Sequence, residues 1–185
     1  MSSKKSKKTI RFFKIALSLI LSAIFVCLIS IMINLPRKYY DLVKDASDKY
    51  SVELSLIFAI IKTESNFNEK AVSKKGAIGL MQIKRSTFAY VCETYDLPFL
   101  PETIFSPAEN VSVGVAYISY LFKKFEREDV VLACYNAGEG IVKKWLNDSF
   151  FSDDGKTLKY IPYKETRGYV KKVSFYKNYF TNYFN

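Results

Sequence analysis

The stretch Ser51-Val52-Glu53-Leu54-Ser55-Leu56-Ile57-Phe58-Ala59-Ile60-Ile61-Lys62-Thr63-Glu64-Ser65 decides what kind of fold this chain takes. Leu54, Ile57, Phe58 and Ile61 recur at helical spacing, which predicts a helix with one apolar side. Ser51 is placed to cap that helix, and Glu53 falls in its first turn, where a negative charge suits the helix dipole. Glu64 stands seven positions after Ile57, four after Ile60 and three after Ile61, in line with the apolar side. A carboxyl group held there is partly desolvated, so its pKa rises and it can act as a general acid near neutral pH. The plainer alternative is a glutamate exposed where the helix ends, and periodicity alone leaves both readings open.

The segments that follow are mostly helical as well. Residues 66–83 read as loop with short extended pieces, punctuated by Gly76 and Gly79. A helix is predicted from Ser86 to Tyr95, stopped before Leu97-Pro98. Ser106-Pro107-Ala108-Glu109 reads as a capping box opening a helix with the apolar stripe Val113, Tyr117, Tyr120, Leu121 and Phe125. Asp129 is predicted to cap Val130 to Ala137, which Gly138 ends, and Ile141, Val142 and Trp145 mark a further turn or helix. Residues 147–160 are polar and loop-like, and a last helix is predicted from Lys164 to Tyr179. Around Glu64 the sequence supplies uncharged hydrogen-bonding groups, Ser65, Asn66, Asn68, Ser73 and Gln82, with Tyr135-Asn136 further on. Such groups, interleaved with aromatic faces, orient sugars; taken singly, each is also an ordinary turn residue.

Composition narrows the chemistry. The 185 residues include no histidine, so a Ser-His-Asp triad, a Cys-His pair and a His-ligated metal are all excluded. Three scattered cysteines cannot form a Cys-only zinc site, and seven glycines include no phosphate-binding loop. Neither a metal nor a cofactor is implied. Cys92 and Cys134 could pair or remain buried thiols.

The net charge of +10 is concentrated at the start of the chain. Lys4, Lys5, Lys7, Lys8, Arg11 and Lys14 precede any acid, leaving 22 basic and 18 acidic side chains for the rest. A nucleic-acid partner is not implied, because a basic binding face should belong to the folded part. Residues 15–35 carry no charge, and a helix of that length reaches about 30 Å, the thickness of a bilayer core. The expected layout is a basic cytoplasmic tail (1–14), a single-pass membrane anchor (15–35), a juxtamembrane linker or helix (36–47) and an extracytoplasmic domain (48–182). A cleaved signal peptide is the competing reading of the apolar run, though the run is longer than such signals use and no small-residue cleavage site follows.

Three groups of residues resemble the signature of the soluble-lytic-transglycosylase domain of peptidoglycan-cleaving enzymes, within the lysozyme-like superfamily. The first is Glu64-Ser65-x-Phe67 with Ala71, Ser73 and Gly76-Ala77-x-Gly79-Leu80-Met81-Gln82. The second is Tyr135-Asn136-Ala137-Gly138 with Val142 and Trp145. The third is Ile161-Pro162-Tyr163-x-Glu165-Thr166-Arg167-x-Tyr169-Val170. They stand in the family's order and span residues 48–180. Two departures are Arg85 at a position where the family often has Pro, and Cys134 where Ala is common before Tyr135; neither touches Glu64.

The resemblance implies a mainly α, lysozyme-like (α+β) helical domain with a small β or loop excursion. It implies that Glu64 is the single catalytic acid and that Ser65, Ser73, Met81 and Gln82 border the cleavage site. Tyr135 and Asn136 would lie beside the acid, while Tyr163, Glu165 and Tyr169 would close the groove. The implied reaction splits the bond between N-acetylmuramic acid and N-acetylglucosamine without water, forming a 1,6-anhydro sugar. The implied partner is the peptidoglycan strand, with envelope or secretion machinery as a further possibility. Two rivals remain open at this level: a goose-lysozyme-like hydrolytic muramidase, with Glu69, Glu139 or Glu165 positioning water, and a non-catalytic glycan-binding envelope protein.

Overall fold

The computed structural model describes residues 13–27, 36–98 and 100–184. It divides into Met1–Tyr39 and Tyr40–Asn185. In the first unit residues 13–27 are helical (α1), and all of them but Ala16 are exposed, including Leu17, Leu19, Ile20, Leu21 and Phe25. Among the described residues no helix is long and apolar enough to cross a membrane. Residues 28–35 of the expected anchor and residues 1–12 of the tail lie outside the described residues.

The second unit is built from α2 (Tyr40–Tyr50), α3 (Leu54–Glu64), a hairpin of β1 (Ala77–Ile78) and β2 (Ile83–Lys84), and α4 (Arg85–Thr94). A 3-10 turn (Pro101–Phe105) then leads to α5 (Pro107–Lys124), α6 (Glu128–Ala137), α7 (Glu139–Leu146) and α8 (Lys164–Phe184). The two strands are antiparallel, pairing Ala77 with Lys84 and Ile78 with Ile83, and Val72 makes an isolated bridge to Ile78. Residues 40–47, expected as a juxtamembrane segment, belong to this unit: α2 packs on α5 and buries Val43 and Ala46.

α3 is the core helix. Ser55 to Ile61 are all buried, so it has no solvated side over that span, and its main neighbour is α8. α8 presents Thr166, Tyr169, Val173 and Phe180 inward. Phe58 of α3 meets Phe180 at 5.5 Å and Phe184 at 4.7 Å between ring centroids, which accounts for α8 running five residues past the expected Tyr179. α5 contributes Val111, Val113, Val115, Ile118 and Leu121, all buried. Burial of this many aliphatic and aromatic side chains is the main stabilising contribution, at about 1.5–3 kcal/mol each.

Several helix ends differ from the sequence expectation, for local reasons. Ser51 does not cap α3. It adopts φ 55° and ends α2 in a Schellman turn, with Val52 N–H donating to Ser47 O at 3.2 Å. Glu53 is the N-cap of α3, and its carboxylate accepts from the Ser55 hydroxyl, not from the helix's own amides. α4 ends the same way, with Asp96 at φ 51° and Leu97 N–H donating to Cys92 O at 2.8 Å. Ser106 is the N-cap of α5 with Pro107 following it, but its hydroxyl makes no capping bond. α6 begins at Glu128, and Asp129 pairs with Arg127 within its first turn. Cys92 and Cys134 are buried free thiols, so the disulfide alternative does not hold.

Candidate active site

A groove of about 520 Å³ runs between the hairpin region, the ends of α3 and α6 and the start of α8, with Glu64, Gln82, Tyr135, Asn136 and Glu165 among its lining. Its floor depends on one buried side chain. Asn110 in the first turns of α5 is fully buried; its Nδ2 donates to Ile78 O at 2.9 Å and Ile104 O at 3.0 Å. Its Oδ1 accepts from Met81 N–H at 2.8 Å. Gly79, at φ 79°, lets the hairpin approach this closely, since a Cβ there would lie 2.5 Å from the Asn110 amide nitrogen. The Met81 carbonyl then accepts from the Tyr135 hydroxyl at 2.8 Å. One chain of hydrogen bonds thus ties α5, the hairpin and α6 together beside the acid.

Glu64 is the last residue of α3, half-buried, with its carboxyl group on the groove. Burial pushes its pKa up to about 7; nearby Tyr169 and Lys172 oppose the rise, and Glu165 adds to it. The position at a helix carboxyl end, where the dipole disfavours a negative charge, works in the same direction as burial. Tyr169 is buried beside Glu64, and among the described residues its hydroxyl has no partner in good hydrogen-bonding geometry. Burial and the neighbouring Glu64 hold the Tyr135 and Tyr169 phenols well above their ordinary pKa, so both remain neutral donors.

The other expected site residues divide into three groups. Gln82, Tyr135, Asn136, Ser73, Tyr163 and Glu165 line the groove with Glu64. Gln82 adopts φ 50°, a conformation costing about 1–2 kcal/mol, and is held by Nε2 donating to Ala71 O at 3.2 Å and Gly79 O at 3.0 Å. Asn136 Oδ1 accepts from the Thr166 hydroxyl at 2.8 Å, and Tyr163 stands edge-on to Trp145 at 4.9 Å. Ser65 and Met81 do not line the groove. Ser65 caps α3 and its hydroxyl donates to Ile61 O at 3.2 Å, while Met81 is fully buried against Gly114, so only its backbone bears on the site. Tyr169 is buried and does not line the groove.

Tyr117 and Thr166 were not anticipated. Tyr117 sits in the expected apolar stripe of α5 yet lines the groove, with its ring 5.6 Å from that of Tyr135. Asn110 was readable by the argument used for Glu64, since it precedes Val113 by three positions and Tyr117 by seven. Among the described residues no group of three His, Cys, Asp or Glu side chains is placed to hold a metal ion.

The raised pKa makes a prediction about stability. From 4.5 to about 7 the folded protein holds a proton that the unfolded chain has released, so stability falls as pH rises through that window. The cost is complete above about pH 7, and Glu64→Gln removes it. Thermal melts are expected to place the variant above the wild type at pH 8 by roughly 2–6 °C, and level with it at pH 4. Equal melting temperatures at pH 8 would show that Glu64 is not desolvated.

The site is thus one half-buried carboxyl group in a groove of a helical domain, lined by hydroxyls, amides and tyrosines together with Lys74, Lys75, Lys84 and Glu165. Residues 41–158 match the family model described as the transglycosylase SLT domain. The soluble lytic murein transglycosylase of Escherichia coli (strain K12) is 35% identical over 149 residues, covering 78% of this chain and 23% of that protein. The membrane-bound lytic murein transglycosylase C of Edwardsiella ictaluri (strain 93-146) is 33% identical over 165 residues, covering 75% of this chain and 45% of its own length. The crystal structure of the 70 kDa soluble lytic transglycosylase of Escherichia coli superposes with a TM-score of 0.71 at 32% identity, over 80% of this chain and 24% of that one. A complex of the 70 kDa soluble lytic transglycosylase with bulgecin A gives a TM-score of 0.72 at 31% identity, over 82% and 25%. The chain therefore belongs to the transglycosylase SLT-domain family, with its lysozyme-like fold. It spans about a quarter of the length of the soluble relatives it matches.

Proposed function

We propose that the protein is a peptidoglycan lytic transglycosylase, with Glu64 acting first as acid and then as base. The observation that carries this reading is the pairing of a desolvated carboxyl, its pKa raised to about 7, with a groove that also presents Ser73, Gln82, Asn136 and the tyrosines Tyr117, Tyr135 and Tyr163. Protonated Glu64 gives its proton to the oxygen bridging N-acetylmuramic acid and N-acetylglucosamine. The muramyl ring takes on oxocarbenium character as that bond breaks. The ionised carboxylate then removes the proton from the sugar's own C6 hydroxyl, whose oxygen bonds to the anomeric carbon. The product is a 1,6-anhydro end, Glu64 is protonated again, and no water is consumed.

Most glycosidases need a second carboxylate within about 5–10 Å as nucleophile or base. Among the described residues the groove is lined by only one other, Glu165, which is exposed and paired with Lys75. Glu139 is engaged by Lys124 and Lys143, and neither it nor Glu69 lines the groove. This favours attack by the substrate's own hydroxyl over the hydrolytic route, since a well-placed internal group can have an effective molarity of about 10⁵ M or more. The related proteins are named as lytic murein transglycosylases, which favours catalysis over a purely binding role. The purified protein is expected to release soluble muropeptides from sacculi, with activity declining as pH rises above about 7. No release from several wall types would instead support a binding role.

We also propose that residues 15–35 anchor the protein in the bacterial cell membrane, with the N-terminus cytoplasmic and the domain outside. An apolar helix exposed along residues 15–27 is unfavourable in water, and one relative is named as membrane-bound.

A further inference from the structure

The lip of the groove carries charges that the proposed reaction does not use. Residues 73–77 form a tight turn, with Ala77 N–H donating to Ser73 Oγ at 3.0 Å and Gly76 N–H donating to Ser73 O at 3.0 Å. Lys74 and Lys75 lie at its tip. The strand register pairs Ala77 with Lys84, which brings Lys84 alongside the same turn. All three lysines line the groove that holds Glu64, and all three are exposed. Lys75 is met at 3.3 Å by Glu165, which starts from α8, so this ion pair links the hairpin side of the groove to the α8 side. Among the described residues Lys74 and Lys84 have no acidic partner. Like charges gathered on one edge repel, and an anion supplied from outside offsets that repulsion.

The chemistry of a glycan strand identifies that anion. The sugars are uncharged, and Ser73, Gln82, Asn136 and the tyrosines lining the groove match them. The negatively charged groups on such a strand are the carboxylates of its peptide stems. We propose that Lys74, Lys75 and Lys84 read these stem carboxylates, so that strands with free carboxylates are cleaved in preference to strands with amidated ones. This rests on the glycosidic reading above. Lys75 would exchange its exposed pair with Glu165 for a substrate carboxylate, one weak pair for another, at little net cost.

The test uses two phosphate-free soluble oligosaccharides with the same sugars and stems, one with free stem carboxylates and one with those groups amidated. The full-length protein in detergent is expected to show a kcat/KM about tenfold higher on the free-carboxylate substrate, carried by KM, from exposed pairs contributing about threefold each. That ratio is expected to fall towards one in the double variant Lys74→Gln/Lys84→Gln, to invert with Lys74→Glu/Lys84→Glu, and to shrink at high salt. Cleavage of both substrates with a wild-type ratio near one, or with a ratio that neither variant moves, overturns this inference alone. Cleavage of neither by the wild type overturns the glycosidic reading and this inference with it.

Discussion

Glu64→Gln is expected to lower muropeptide release from purified sacculi by at least about 10³-fold while leaving the fold intact. The amide fills the same space at the end of α3 and keeps a hydrogen-bonding group beside Tyr169, but it has no proton to give and no charge with which to take one. The loss should therefore lie in kcat, with binding of the strand largely retained. Circular dichroism checks the fold, and the higher melting temperature expected at pH 8 gives an independent sign that the mutated side chain was the desolvated one. Retained activity within about tenfold of wild type would remove Glu64 from the chemistry.

Asn110→Ala is expected to be the most damaging substitution away from the acid. It leaves the Met81 N–H and the Ile78 and Ile104 carbonyls without their partner in a buried setting. Each orphaned group costs about 1–3 kcal/mol, so a total near 4 kcal/mol and a fall in melting temperature of roughly 10 °C are expected. Activity should suffer at temperatures well below the melt, because Met81 also accepts the Tyr135 hydroxyl and so carries the disturbance to the groove. A melting temperature within about 2 °C of wild type would mean that the hairpin is held by something other than Asn110.

How far these features could be read from the sequence depended on the physical signal each one left. The polarity of Glu64 against the aliphatic periodicity of α3 was legible, because a helix of this length fixes which side chains share a side. The same rule places Asn110 in line with Val113 and Tyr117, but a lone amide in the first turns of a helix has no flanking apolar run before it to mark it as buried. The hairpin was legible only as Gly76 and Gly79, since strands of two residues have no alternation from which to read a register. Met81 and Tyr169 were expected at the substrate; each is buried, the Met81 carbonyl accepting from the Tyr135 hydroxyl and the Tyr169 phenol lying beside Glu64. The basic lip left no periodic signal, because Lys74, Lys75 and Lys84 meet only through the turn and the pairing of Ala77 with Lys84.

What distinguishes the proposed chemistry from all its rivals is the fate of the anomeric carbon. The decisive measurement is the mass of the muramyl ends released when the native protein digests purified sacculi. Attack by the sugar's own C6 hydroxyl predicts 1,6-anhydro ends, lighter by one water than reducing ends, in all products from the earliest time point. Reducing ends formed from the start would contradict a single acid working without water, and would make the protein a hydrolase on the same fold.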